Sequence, residues 1–568
     1  MKRKIIIIGG VAGGASAAAR IRRLNAEAEI IMFERGEHVS FSNCGLPYYL
    51  SRTVAKSENL ILMTPEGFKK QHNIDVFVNQ EVLSIHPDEK YVVVKNLLSG
   101  QERKESYDQV ILSPGANPVR PKSIKGVDGE NVFTVRNVSD IVSIKEYIDH
   151  HKIKNIAVVG GGFIGLEIAE NLKMADLNVH LIEGLDQIMA PFDDDLVQIL
   201  HKELMDHDID LHLSSTVTAI DHESVYFTKN ETTQQVSAEA VILAIGVAPE
   251  TKLAKEAGLA IGVTGGIKVN HNYQTSNPDI YAVGDAIESF HSLLHTSGRL
   301  ALAGPAQRQA RAAADHIYGK SIANKGFIGS SCIRLFSQNA ACTGINEKTA
   351  KANQIPCEFA YIFPNDKVNI MPQSNYMAFK LLFEVPTGRI LGAQAIGKGN
   401  VDKRIDVIAS MITMNATLED LKDLELCYSP VFGTAKDVVN MAALVGLNIL
   451  ENRYKQVPVS EVRPLVESGA YIIDVREKRE YAAGHVKGAV NIPLSELKER
   501  AEEIPKDVPV YLHCRSSQRS YYAVSYLINI GFTNIKNICG SFLGISLYEY
   551  FNDKDQGREP IVTKYIFN

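Results

Sequence analysis

The chain opens on a pattern that repeats. KIIIIGG (4–10) is an almost wholly apolar run closed by two glycines, followed by the alanine-rich AGGASAAARIRRL and then by EIIMFERG, an apolar run ending on Glu34. Four isoleucines are too few for a membrane span or a secretory core, and they suit a strand buried on both faces. Strand, glycine turn, helix and strand ending in an acid predict a βαβ unit. NIAVVGGGFIGLEIAENLKMADLNVHLIEG (155–184) repeats the pattern. VILSPGANPVRP (110–121) and VILAIGVAPE (241–250) read as strands running into small residues, where the chain crosses between two nested domains. NPDIYAVGDAIE (277–288) reads as a strand delivering Asp285 to a glycine turn, and a helix is expected from about Leu302 through QRQARAAADHI.

The turns carry chemistry. In the first unit Gly9 and Gly14 occupy the outer positions of a dinucleotide fingerprint, with Val11 at the middle one and Glu34 lying 20 residues past Gly14. In the second, Gly160, Gly162 and Gly165 keep strict G-x-G-x-x-G spacing, and Glu183 ends the next strand 18 residues on. Such a turn offers helix N-terminal N–H groups to a pyrophosphate, and the acid accepts from a ribose 2′-OH. A carboxylate repels a 2′-phosphate, so NADH is expected ahead of NADPH. Two such sites imply two dinucleotides, an electron carrier beside a hydride donor. Asp285 suits the ribityl or pyrophosphate region of a flavin.

Composition narrows the partners. Across 568 residues the chain is 45% apolar and 22% charged, with a net charge of −6, which fits several globular domains and no global basic field for nucleic acid. No apolar stretch approaches the roughly 20 residues of a membrane span. The seven cysteines include no CxxC pair, so neither a disulfide scaffold nor a zinc or other metal site is expected, and a reduced, cytoplasmic setting is the default.

These residues together resemble the FAD- and NAD(P)-dependent pyridine nucleotide-disulfide reductase superfamily over about residues 1–445. The resemblance implies FAD in the first unit, NADH (with NADPH admissible) in the second, and a homodimer with active sites shared across its interface. Typical members carry CxxxxC beside the flavin, but here Tyr49 stands where the partner of Cys44 would be. Cys44 must then work through a sulfenate, a mixed disulfide or a persulfide, and a following helix N-terminus and a flavin face are expected to lower its pKa. SFSNCGLPY (40–48) further resembles the motif of coenzyme A-disulfide reductases, with Ser40 and Asn43 matching substrate-binding positions and Cys44 the nucleophile. Peroxidase relatives place a His where this chain has Ala12, which leaves an NADH oxidase using a Cys44 sulfenate as the alternative.

Arg20 and Arg23 share a helix face with Ser16 one turn earlier. By resemblance they bind the nucleotide end of coenzyme A, with Lys69 or Lys70 nearby, whether coenzyme A is a substrate or tightly held. ELCYSPVFGTAKD (425–437) matches a family segment that nominates Tyr428 and Lys436 as contributors across the dimer. A second family tyrosine aligns with Ile370 and Met371, a departure that favours a variant substrate.

After GLNILENRYKQVP (446–458) the chain starts again. VPVYLHCRSSQRSYYAVSYL is a strand running into Cys514, a short loop and a helix, the setting of an anion-stabilised thiolate. Arg515 and Arg519 add positive charge, and Ser516, Ser517 and Gln518 complete the loop. The run resembles a rhodanese sulfurtransferase domain, in which Cys514 carries a persulfide and Arg519 stabilises it. The expected architecture is α/β: two nested Rossmann-like domains (1–120 with 271–325 for FAD, 121–270 for NAD(P)H), an α+β interface domain (326–445), a linker (446–458) and a rhodanese-like domain (459–568). The expected activity is reduction of thiol-derived small molecules, namely coenzyme A disulfide, persulfide or polysulfide, at Cys44, coupled to sulfur transfer at Cys514. Cys332, Cys342, Cys357, Cys427 and Cys539 are expected to be structural.

Overall fold

The computed structural model describes residues 3–321 and 324–567, which divide into two units, 1–186 with 212–327 and 187–211 with 328–568. In the first unit the opening isoleucines form strand Lys4–Ile8, with Ile5, Ile6 and Ile7 fully buried. Each such side chain contributes roughly 2 kcal/mol of burial, which outweighs the weak intrinsic preferences of so short a strand. The strand sits at the centre of a parallel sheet ordered 280–282, 109–112, 4–8, 29–33, 75–77. Helix Ala12–Leu24 packs against helix Ala303–Ile317 through alanines that let the two approach closely. The repeat builds a second parallel sheet in which 178–182, 155–159, 240–243 and 132–134 lie in that order. At the two crossings, 116–118 and 247–249 pair antiparallel.

In the second unit an antiparallel sheet runs 331–335, 338–344, 390–397, 377–384, 357–362, with helices Val401–Thr413 and Val438–Leu450 packed on it. A parallel sheet follows, ordered 455–457, 535–538, 510–513, 471–474, 490–491. The stretch 446–458 is therefore no linker: the apolar helix runs on to Leu450, and Lys455–Val457 is an edge strand of the last sheet.

One buried cation stands out in this unit. Lys380 is 2% exposed, its Nζ lies 2.8 Å and 2.9 Å from the two oxygens of Asp195 and 3.2 Å from Asp193, and it also bonds Glu347. Three carboxylates hold it charged, and they raise its pKa against the opposing effect of burial. Among the described residues no helix is long and apolar enough to cross a membrane.

Candidate active site

Both glycine turns are built alike. A Cβ on Gly14 would lie 1.8 Å from the Gly9 carbonyl oxygen, and one on Gly165 would lie 1.8 Å from that of Gly160. Only glycine lets helix and strand approach this closely. Glu34 accepts from the backbone N–H of Gly10 at 2.8 Å and of Gly36 at 2.9 Å. Glu183 accepts from those of Gly161 at 2.6 Å and Leu185 at 2.8 Å. Each carboxylate is thus anchored beside its turn. A Cβ on Gly162 would meet nothing within 4 Å, so this turn has open space before it.

Gly9, Glu34 and Asp285 line one cleft of about 1520 Å³, counted out to its open mouth. Asp285 sits in the turn Gly284–Ala286, and burial raises its pKa. The Gly284 N–H donates to Gln309 at 2.7 Å, tying the turn to helix Ala303–Ile317, whose Ala306 also lines the cleft. An anchored acid, an N–H-rich turn and a second carboxylate lining one cleft fit FAD. Arg136 lines it too, its pKa lowered by burial and by Arg35. No sequence motif marks this residue.

Cys44 lies in the turn Asn43–Gly45, ahead of the short helix Pro47–Leu50. That helix packs on Phe163–Lys173, and the Ser51 hydroxyl donates to Asn171 Oδ1 at 2.6 Å. The Cys44 residue has exposed surface, yet partial burial of its thiol, then the charges of Glu167 and Asp285, push its pKa up. The helix N-terminus alone does not lower the thiol: a four-residue helix supplies too little field to offset burial and the two carboxylates. Glu167 was missed in the sequence. Its carboxyl is raised to about 7 by burial and by Glu170.

Ser16, Arg20, Arg23 and Ser40 come together in a second groove, joined by His72 and Arg311. Arg20 donates from Nε to Asp315 at 2.7 Å, so part of its charge is already matched, while Arg23 is exposed. Two of the earlier candidates fall elsewhere. Asn43 lines the FAD-sized cleft, and the exposed Lys70 lines neither. Lys69 pairs with Asp75 at 2.7 Å. Arg311 is brought in by the packing of two helices distant in sequence.

In the second unit Tyr428 is 53% exposed, beside exposed Val431 and Phe432, and Lys436 is exposed. Ile370 is 83% exposed. Cys342 and Cys539 are buried, as structural cysteines should be, whereas Cys332 and Cys427 are exposed and fill no core.

Cys514 follows strand Val510–His513 and is 1% exposed. Its N–H donates to the Ser541 hydroxyl at 3.1 Å, and that oxygen lies 3.8 Å from Sγ, a contact no local motif reveals. The carbonyls of Cys514 and Arg515 accept from Phe542 and Leu543 at 3.1 Å and 3.0 Å. Ser516 is half-buried, and Ser517 turns the chain at φ +75° into helix Gln518–Asn529. The Gln518 side chain donates to Tyr522 at 3.0 Å. Arg519 forks across Glu480, Nη1 to Oε2 at 2.6 Å and Nη2 to Oε1 at 2.8 Å. Behind the loop, Arg476 clamps the buried Asp474, from Nη2 at 2.7 Å, and His513 Nε2 lies 3.8 Å from the same carboxylate.

Known proteins align with this layout. The family model for pyridine nucleotide-disulphide oxidoreductases matches residues 3–310, that for their dimerisation domain 332–438, and that for rhodanese-like domains 459–547. The coenzyme A disulfide reductase of Staphylococcus haemolyticus is 33% identical over 440 residues, 77% of this chain and 98% of the relative. The crystal structure of reduced Bacillus anthracis CoADR-RHD superposes with a TM-score of 0.93 at 42% identity, covering 98% of this chain and 99% of the other. A NAD-dependent persulfide reductase from A. fulgidus gives 0.90 at 31% identity, covering 95% and 99%. The chain belongs to the pyridine nucleotide-disulphide oxidoreductase family and carries a rhodanese-like domain behind the family's dimerisation domain.

Proposed function

We propose that the protein is an NADH-dependent, FAD-containing reductase of coenzyme A disulfide and of coenzyme A persulfide or polysulfide, working through Cys44 and supplied with sulfane sulfur by Cys514. The observation that carries this reading is a solitary cysteine: Cys44, beside the FAD-sized cleft, has Tyr49 where a disulfide partner would stand. The second sulfur must come from a substrate.

FAD, when bound, relays the two electrons of a hydride from NADH to sulfur. Glu34 and Asp285 hold its two ends, and Glu183 selects the nucleotide lacking a 2′-phosphate. The Cys44 thiolate attacks RS–SR, forming Cys44–S–S–R and releasing RS⁻. Two electrons and a proton then restore the thiolate and free RSH. The sum is NADH + H⁺ + RSSR giving NAD⁺ + 2 RSH; with RSSH it is NAD⁺ + RSH + H₂S. Ser16, Arg20, Arg23, Ser40 and Arg311 suit the anionic nucleotide end of coenzyme A. Asn43 acts beside the thiol. The exposed Tyr428 suits a role across a homodimer, where its phenol would donate to the leaving thiolate, with Lys436 nearby. The relatives named as coenzyme A disulfide reductase and persulfide reductase support the same substrate class.

The test is anaerobic NADH oxidation with coenzyme A disulfide, coenzyme A persulfide and polysulfide offered separately, against aerobic buffer without any sulfur acceptor. Turnover with at least one sulfur acceptor is expected. NADH loss matched by oxygen uptake alone would instead make the protein an oxidase.

A further inference from the structure

The Cys514 loop carries two cations, and they are not equivalent. Arg519 is engaged at both nitrogens by the Glu480 carboxylate, so its charge is matched within the fold. Arg515, directly after the cysteine, has no carboxylate partner among the described residues. Its guanidinium lies instead over the ring of Tyr376, 4.8 Å from the centroid. Tyr376 comes from the neighbouring domain, just ahead of strand Met377–Glu384. Its backbone is set by the bridge to Asn365, and its ring is half-buried. The Arg515 main chain is fixed as well, since its carbonyl accepts from Leu543 N–H at 3.0 Å. An arginine face on a tyrosine ring keeps its full charge and its edge donors. The aromatic holds the cation still without neutralising it.

We propose that Arg515, positioned by Tyr376, is the cation that receives the anionic end of an incoming sulfane-sulfur donor at Cys514. Tyr376 is a positioning residue and touches no reacting atom. The inference rests on the reading that Cys514 carries sulfur. With thiosulfate as probe, the Cys514 thiolate attacks the outer sulfur and the S–S bond breaks. Sulfite leaves with the electron pair, and Cys514–S–S⁻ remains. Cyanide then takes the outer sulfur as thiocyanate and restores the thiolate.

Steady-state thiosulfate-to-cyanide transfer by the holoenzyme tests this, with coenzyme A persulfide as a second donor to separate an inorganic anion from a carried one. The wild type should turn over and Cys514→Ser should not; if both or neither do, the reading of Cys514 fails, whatever Tyr376 does. Given a Cys514-dependent rate, Tyr376→Leu should raise the donor KM on the order of tenfold with kcat changed about twofold or less. Tyr376→Phe, which keeps the ring, should stay within about twofold of wild type. Arg515→Gln should raise KM at least as much, and adding Tyr376→Leu to it should change nothing further. An elevated KM for either donor with this pattern supports the inference. An unchanged KM for both donors in Tyr376→Leu, equal losses in Leu and Phe, or additive losses in the double variant would overturn it.

Discussion

Glu183 accepts a 2.6 Å hydrogen bond from the backbone N–H of Gly161, in the turn of the second glycine fingerprint. The same carboxylate takes the Leu185 N–H at 2.8 Å, so it cannot swing away from an approaching ribose. Replacing it by alanine removes the acceptor for the 2′-OH and the repulsion of a 2′-phosphate together. Glu183→Ala should therefore lower kcat/KM for NADH by about tenfold while that for NADPH holds or rises. Paired kinetics with the two nucleotides measure this, and a parallel loss for both would contradict the assignment.

Cys44 and Glu167 are coupled through charge. Glu167 ionises at about 7, and its negative charge then opposes the thiolate. The sign follows: removing that charge stabilises Cys44–S⁻ and lowers the thiol pKa. At pH 7.5–8.5 Glu167→Gln should alkylate with iodoacetamide several-fold faster than wild type, and the two should converge below about pH 6, where Glu167 is already neutral. Mass-spectrometric labelling of Cys44 in the holoenzyme reads this out.

The second groove makes a prediction that separates two lysine and arginine candidates. Arg23 is exposed and lines the groove, whereas Lys70 does not line it. Arg23→Ala should raise KM for coenzyme A disulfide by about five- to tenfold and leave KM for NADH near its wild-type value, the loss expected for one charge-assisted contact. Lys70→Ala should shift it by less than about twofold.

Lys380 is the sole ammonium facing Asp193, Asp195 and Glu347 in the contacts described above. Lys380→Met leaves buried carboxylates without a counter-charge and should cost about 3–5 kcal/mol. Urea unfolding followed by a probe of the second unit would show it as a lower midpoint with little change in slope.

Much of this architecture was legible because strands buried on both faces read as continuous apolar runs, and because glycine turns leave a fixed spacing. KIIIIGG, the second fingerprint and Asp285 were all readable in that way. The groove around Ser16 was half legible: its arginines share a helix face, but Arg311 joins only through the packing of helices almost 300 residues apart. The rise in the Cys44 pKa was not legible at all, since it comes first from burial of the thiol and then from carboxylates on other elements. Nor was the pairing of Arg519 with Glu480, which leaves Arg515 as the unmatched cation of its loop. The supposed linker misled for a simple reason, because a short edge strand bounded by Tyr454 and Pro458 carries too few residues to show alternation.

The central claim is that one thiol, Cys44, meets the substrate sulfur. Anaerobic NADH oxidation by Cys44→Ser with coenzyme A disulfide and coenzyme A persulfide tests it most directly, once FAD content is shown to match wild type. Turnover should fall by about a thousandfold or more with both acceptors, because a serine hydroxyl neither ionises in this pH range nor forms a mixed disulfide. Wild-type rates on both acceptors would contradict the account.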